Sequence, residues 1–237
     1  MAAPPALTLL FGTTNGGKLR ELRRLVAGLP VAVVSPEELG RPLPEVVEDG
    51  ATFQANAEKK ASAWARWAGL HALADDSGLS VDALGGAPGV HSARWADLEP
   101  EGEPASPACA LAGEAGAELG PVAGRAARDE RNNDKLLRSL AGVPEARRGG
   151  EYVAVLSLAR PDGTLVESVA GRCRGRVGCG RRGTGGFGYD PLFLPDAIPG
   201  RTMAELGPEE KDAVSHRGEA FRRLLPVLAR LAGERRP

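Results

Sequence analysis

The stretch Thr8-Leu9-Leu10-Phe11-Gly12-Thr13-Thr14-Asn15-Gly16-Gly17-Lys18 decides the fold class. Its first four residues form a short apolar run, Gly12 ends that run, and Leu19, Leu22, Leu25 and Val26 then recur at helical spacing. Strand, glycine-bearing turn and helix, in that order, open an α/β protein. A glycine turn at a helix start also aims N–H groups at an anion, and Asn15 and Lys18 stand beside it. The spacing from Gly12 to Lys18 nearly meets the G-x-x-x-x-G-K loop of P-loop nucleotide hydrolases. Leu19 breaks it, because that loop needs a Ser or Thr hydroxyl at this position for magnesium. A P-loop NTPase or kinase is therefore the runner-up among enzymes.

Farther along, Phe53, Ala57, Ala61, Trp64 and Ala68 share one face of a second helix, with Thr52 placed to cap it. Lys60 lies on the flank of that helix, close to Asn56. Residues 70–74 then read as a buried strand that runs into Asp75-Asp76-Ser77-Gly78. The acidic pair is thus expected at a strand's carboxyl end, where α/β folds place their chemistry. Two adjacent carboxylates repel when buried together, and a divalent cation relieves that repulsion. Magnesium takes a few carboxylates together with substrate phosphates, and Glu48 is the best-placed third carboxylate. The plainer alternative for the pair is a solvated turn or helix cap.

Residues 98–128 shift to Ala, Gly, Glu and Pro with no aromatic side chain, the composition of an insertion or mobile flap. A helix is expected over residues 132–140. Residues 152–159 and 164–169 flank Pro161-Asp162-Gly163 and predict a β-hairpin. Thr202 and Glu205 have capping-box spacing. A last amphipathic helix carries Ala220, Phe221, Leu224, Leu225 and Leu228, and Pro226 is expected to kink or interrupt it.

The run Gly183-Thr184-Gly185-Gly186-Phe187-Gly188-Tyr189-Asp190-Pro191 places an aromatic ring and a carboxylate in a loop nearly stripped of side chains. Glycines let backbone approach a ligand, and Phe187 offers a face on which a base can stack. A glycine-rich turn with a core Phe is the alternative. In Ser215-His216-Arg217-Gly218, at the start of the last helix, cationic and donor groups oppose the helix dipole and call for an external acceptor. Lys211 stands shortly before them.

Composition bounds the rest. The 237 residues are 42% hydrophobic and 26% charged, enough for one large α/β domain or two lobes. Lys and Arg number 30 against 31 Asp and Glu, so no global basic field recruits nucleic acid or a membrane surface. The amino end lacks a secretory pattern and no long apolar run occurs, which predicts a soluble, cytoplasmic protein. Cys109, Cys173 and Cys179 form neither a disulfide set nor a C-x-x-C pair.

Taken in order, Thr13-Thr14-Asn15 with Lys18 and Glu21, the stretch from Asp75-Asp76-Ser77-Gly78-Leu79 to Ser92-Ala93-Arg94, the Phe187 loop and Ser215-His216-Arg217-Gly218 closely resemble the inosine/xanthosine triphosphate pyrophosphatases. That family hydrolyses deaminated purine nucleoside triphosphates (ITP, dITP, XTP) to the monophosphate and pyrophosphate. The resemblance spans residues 8–231 apart from the 98–128 stretch, and Thr14 stands where the family's turn has a glycine. It implies an elongated, two-lobed α/β domain over residues 1–237, with a central mixed β-sheet flanked by helices and the nucleotide in the cleft between lobes. It further implies a homodimer, a nucleoside triphosphate substrate and Mg2+ as cofactor. Asp76 would be catalytic base and metal ligand, Glu48 a metal ligand with Asp75 nearby, and Lys60 would face the phosphates. Thr13, Thr14, Asn15, Lys18, Ser77, Phe187, Gly188, Tyr189, Asp190, Lys211, His216 and Arg217 would bind substrate, with Phe187 on the purine and His216-Arg217 at its 6-keto edge. A nucleotide sensor without turnover is the rival from another class, and the Asp75-Asp76 pair with Lys60 argues against it.

Overall fold

A computed structural model describes residues 7–98 and 121–233. Strand β1 (Leu7–Phe11) is buried on both faces, as its unbroken apolar run requires. It lies parallel to β2 (Val31–Val34) on one side and to β3 (His71–Val81) on the other. β3 then outruns β1 and pairs antiparallel with β4 (Gly149–Ala159) along its whole length, from Ala72 opposite Ala159 to Val81 opposite Gly150. β5 (Leu165–Val177) and β6 (Phe193–Pro195) extend the sheet antiparallel. The result is a mixed six-stranded sheet in the order β2-β1-β3-β4-β5-β6.

Among the described residues five α-helices flank it. In α1 (Gly16–Leu25) the cap is Asn15, whose side chain accepts from Gly17 N at 2.9 Å. The turn before it must hold glycine, because a β-carbon on Gly12 would lie 2.0 Å from the Trp64 ring. Helix α2 (Phe53–Ala68) starts on the expected Thr52 cap and ends on Gly69 at φ 64°, a left-handed C-cap that favours glycine. Its buried face of Ala57, Ala61 and Ala65 lets the helix approach the sheet closely. Helix α3 (Pro121–Ser139) starts well before the expected Asn132, so residues 121–128 of the stretch read as an insertion are helical. Residues 99–120 of that stretch lie outside the described residues.

The short α4 (Pro208–Val214) precedes α5 (His216–Gly233), which runs on through Pro226 instead of breaking there. Proline removes one amide donor, but Phe221 and Leu224 before it and Leu228 and Leu231 after it are all buried, pinning both halves to the sheet. The Thr202–Glu205 capping box and the hairpin across Pro161-Asp162-Gly163 form as expected.

The core falls into separate clusters along the long strands. At one end Leu9, Phe11, Leu73, Leu156 and Leu158 pack under Phe221, Leu224 and Leu228 of α5. At the other, Leu79, Val81, Tyr152 and Phe193 pack under Leu136 and Leu140 of α3. Each fully buried Leu or Phe contributes about 1.5–3 kcal/mol of transfer free energy. Among the described residues no helix is long and apolar enough to cross a membrane.

Candidate active site

The acidic pair does not sit at a strand end. It lies in mid-strand on β3, just past the point where β1 leaves the sheet: Gly12 N donates to Leu73 O, and β3 continues beside β4 alone. Apolar composition ends at Ala74, which made the strand look finished, but the ladder to β4 carries it on. Successive strand residues face opposite sides of a sheet, so the two neighbours meet different partners.

Asp75 meets Lys18 of α1 at 2.7 Å and Arg217 Nε of α5 at 2.9 Å, both on Oδ2. Arg217 also donates to Glu21 Oε2 at 3.2 Å and to Ser77 Oγ at 3.3 Å. Burial raises the Asp75 carboxyl, but Lys18 and Arg217 outweigh it and hold the group well below the usual carboxylate range. Asp76 instead meets α2: Lys60 Nζ lies 2.8 Å from Oδ1 and Asn56 Nδ2 lies 3.3 Å from Oδ2. The same Lys60 ammonium reaches Glu48 Oε1 at 2.9 Å and donates to Asp75 O at 3.1 Å. Burial pushes the Asp76 carboxyl up; Lys60 opposes that, while Glu48 and Asp75 add to it. Protein cations on two sides of the sheet thus relieve part of the repulsion between the buried carboxylates.

Three carboxylate oxygens have no cation on them among the described residues: Asp75 Oδ1, which is buried without a hydrogen-bond partner, Asp76 Oδ2 and Glu48 Oε2. Hard oxygens of this kind suit magnesium. Among the described residues no three His, Cys, Asp or Glu side chains converge into a closed metal cage, so phosphate and water oxygens would have to complete the shell.

The glycine loop forms another wall. Asp190 Oδ2 accepts from Phe187 N at 2.8 Å and from Lys211 Nζ. Gly186 has φ 77° and a β-carbon there would lie 2.1 Å from Asp190 Oδ2, so glycine is required. α3 clamps the next residue from both sides: Gly188 N donates to Asp129 Oδ2 at 2.8 Å, and Asn133 Nδ2 donates to Gly188 O at 2.9 Å. His216 lies flat on Tyr152, ring centroids 4.6 Å apart and planes 9° apart, and its Nδ1 is buried with no hydrogen-bond partner. Burial, reinforced by Arg217, keeps this imidazole neutral well below its ordinary titration range.

These groups enclose a cavity of about 400 Å³. Every residue named from sequence for the site lines it except Thr13 and Asn15. Thr13 and Thr14 line a smaller hollow of about 130 Å³ beside it. Asn15 is spent on capping α1, and its Nδ2 is buried without a partner. The acceptors expected outside the protein for Arg217 are instead internal, Asp75 and Glu21, and the guanidinium is only 2% exposed. Arg125, Arg128, Asp129 and Tyr152, to which the sequence assigns no site role, also line the cavity, as does Ser92 of the Ser92-Ala93-Arg94 motif. Tyr152 looks like any core strand residue, and the two arginines fall inside the stretch read as an insertion.

The cavity therefore joins a floor of paired carboxylates and ammonium groups, suited to a metal-bound polyphosphate, to an aromatic wall suited to a flat ring. An α/β fold with such a site is a nucleotide-handling one. The chain matches the Ham1 family over residues 9–106 and 108–227, and it belongs to that family. A protein of Anaeromyxobacter dehalogenans named dITP/XTP pyrophosphatase is 75% identical over 233 residues, covering 95% of this chain and 99% of its own. One of the same name from Streptomyces avermitilis is 43% identical, covering 95% and 98%. Among solved structures, a HAM1 protein from Coxiella burnetii matches with a TM-score of 0.72 at 33% identity, over 94% of this chain and 99% of that one. The nucleoside-triphosphatase, dITP/XTP pyrophosphatase from Mycobacterium abscessus matches with a TM-score of 0.65 at 40% identity, over 93% and 100%.

Proposed function

We propose that this protein is a magnesium-dependent nucleoside triphosphate pyrophosphatase that hydrolyses ITP, dITP and XTP to the monophosphate and pyrophosphate. The observation that carries the reading is Asp76: a buried carboxylate, pushed up by desolvation, on a cavity floor that also holds Lys60, Glu48 and Lys18. Relatives named for this activity at up to 75% identity support it.

Asp76 takes a proton from a water molecule as that water's oxygen bonds to the α-phosphorus. The bond from the α-phosphorus to the α-β bridging oxygen breaks, and pyrophosphate leaves with its electrons. Lys60 holds Asp76 in place and ionised, and Lys18 offers positive charge to the phosphate chain. Asp76 and Glu48 would hold magnesium, with Asp75 close by in sequence, and the ion would supply neutralisation of phosphate charge. Phe187 stacks on the base. His216, held neutral on the cavity wall, donates to a 6-keto oxygen, whereas a 6-amino group would leave two donors facing each other. Most of Arg217's donors are spent on the protein, so His216 takes the larger share of base reading.

Leu19 is packed against the core, so the P-loop alternative lacks its magnesium-binding hydroxyl. The resemblance also supports a homodimer, to be checked by light scattering, and the balanced charge gives no reason to add a nucleic-acid or membrane partner. The test is product analysis across a nucleoside triphosphate panel with magnesium. Monophosphate and pyrophosphate from ITP, dITP and XTP, with ATP poor, is the expected result. Diphosphate and orthophosphate, or ATP turned over as fast as ITP, would refute it.

A further inference from the structure

Three cationic groups approach the Phe187 ring: Lys211 Nζ at 4.9 Å, the Arg217 guanidinium at 5.3 Å and the Arg125 guanidinium at 5.4 Å from its centroid. Lys211 is committed to Asp190, and Arg217 to Asp75 and Glu21. Arg125, on the exposed side of α3, has no carboxylate paired with it among the described residues. A stacked base needs about 3.4 Å on each of its faces, close to 7 Å between the groups that sandwich it, a generic aromatic contact distance. Arg125 is therefore too close to admit a base between itself and Phe187 where it stands, but it is a long, exposed side chain free to lift. A guanidinium that stacks on Phe187 can stack equally on a base lying there.

We infer that Arg125 is a specificity-determining residue of the base subsite: it lifts to cover the outer face of the bound base and favours xanthine, whose ring loses a proton near neutral pH, over hypoxanthine, which stays neutral. A cation against an anionic ring gains Coulombic attraction beyond the cation-π contact that either base offers. The other charged groups facing this place do not reverse the sign. Lys211 and Asp190 pair off, Arg217 is matched by Asp75 and Glu21, and His216 is held neutral. Beside Arg125 on α3, Asp129 accepts from Gly188 N, and Arg128 pairs with Asp97 at 3.7 Å. The inference rests on the proposed reaction for its substrates, but not on turnover for its test.

The experiment compares wild type, Arg125→Gln and Arg125→Lys by kcat/KM for XTP and ITP from pH 5 to 8.5, and by titration calorimetry with xanthosine and inosine monophosphates over the same range. Taking the ratio of the two substrates cancels any pH effect of Asp76, which acts on both. The XTP/ITP ratio of the wild type should rise with pH as xanthine ionises. Arg125→Gln should lower the ratio roughly five- to tenfold at pH 8, with the difference vanishing near pH 5, and Arg125→Lys should restore it in part. Binding of the two monophosphates should follow the same pattern. Equal losses on both bases at every pH, or no loss on either, would overturn the inference. If wild type releases no pyrophosphate from either triphosphate, the proposed reaction fails, while monophosphate binding still decides the role of Arg125.

Discussion

Asp75 and Asp76 are adjacent carboxylates, yet they meet different partners and their acidities shift in opposite directions, so replacing each by Asn should produce opposite signatures. Asp75→Asn removes the charge on which Lys18 and Arg217 converge at 2.7 and 2.9 Å, leaving the buried Arg217 and the half-buried Lys18 with Glu21 alone to balance them. Breaking a buried ion pair by removing one partner costs about 3–5 kcal/mol. For a chain of this size each kcal/mol moves Tm by about 2–4 °C, so a fall of roughly 6–20 °C is expected. Asp76→Asn leaves Lys60 bonded to Glu48 and to Asp75 O, and it removes a carboxylate whose ionised form burial disfavours. Its Tm should stay within about 4 °C of wild type, while turnover of ITP at saturating magnesium falls by about two to four orders of magnitude, the range for loss of a general base. Thermal unfolding and pyrophosphate release on the same preparations measure both. Near-wild-type turnover in Asp76→Asn refutes the mechanism. A large Tm loss in Asp76→Asn beside an unmoved Tm in Asp75→Asn would refute the assignment of scaffold and base.

Because burial raises Asp76, the acid limb of kcat/KM should lie above the ordinary carboxylate value of about 4, and a limb at or below it counts against Asp76 as base. Asp75 shifts the other way: its stabilisation is complete above its unfolded pKa of about 3.9 and is lost as pH falls toward its lower folded value. Stability of wild type should therefore drop on acidification from about pH 4 to 2 more steeply than that of Asp75→Asn, as followed by urea unfolding. Phe187→Ala should raise KM for ITP about fivefold to a hundredfold with kcat changed much less, since one stacked base is worth about 1–3 kcal/mol; an unchanged KM would remove the ring from the base subsite. His216→Ala should narrow the preference for ITP over ATP by about tenfold, an unmade buried hydrogen bond, whereas Arg217→Ala should lower Tm and depress both substrates alike; the reverse outcome would return base reading to Arg217.

Local signals that agreed with tertiary structure were legible before any coordinates. The Thr52 cap, the Ala and Trp face of α2 and the Pro161-Asp162-Gly163 hairpin each carry their own physics within a few residues. β2 was passed over because Val31–Val34 is only four residues long and becomes a strand through its parallel pairing with β1, a partner far enough away in sequence to leave no periodic trace. β3 was cut short because Asp75-Asp76-Ser77-Gly78 has the composition of a turn. What keeps it extended is the β4 ladder beneath it and the cations of α1, α2 and α5 beside it, none of which a local window contains.

The same limit applies to Arg217. A cation at the start of α5 opposes the helix dipole, so its local sequence calls for an external acceptor, whereas the carboxylates that meet Arg217 are internal. Its acceptors lie 142 and 196 residues away in sequence, at Asp75 and Glu21, and a reading confined to the neighbourhood of a residue supplies a missing partner from solvent or ligand. Once β3 is carried past Ala74, Asp75 falls on the face that α1 and α5 cover, and the need for an outside acceptor disappears. Arg217 then links the turn before α1, through Asp75 and Lys18, to its neighbour His216 on the cavity wall. Cutting that buried ion cluster is therefore expected to weaken folding and the proposed base and phosphate contacts together.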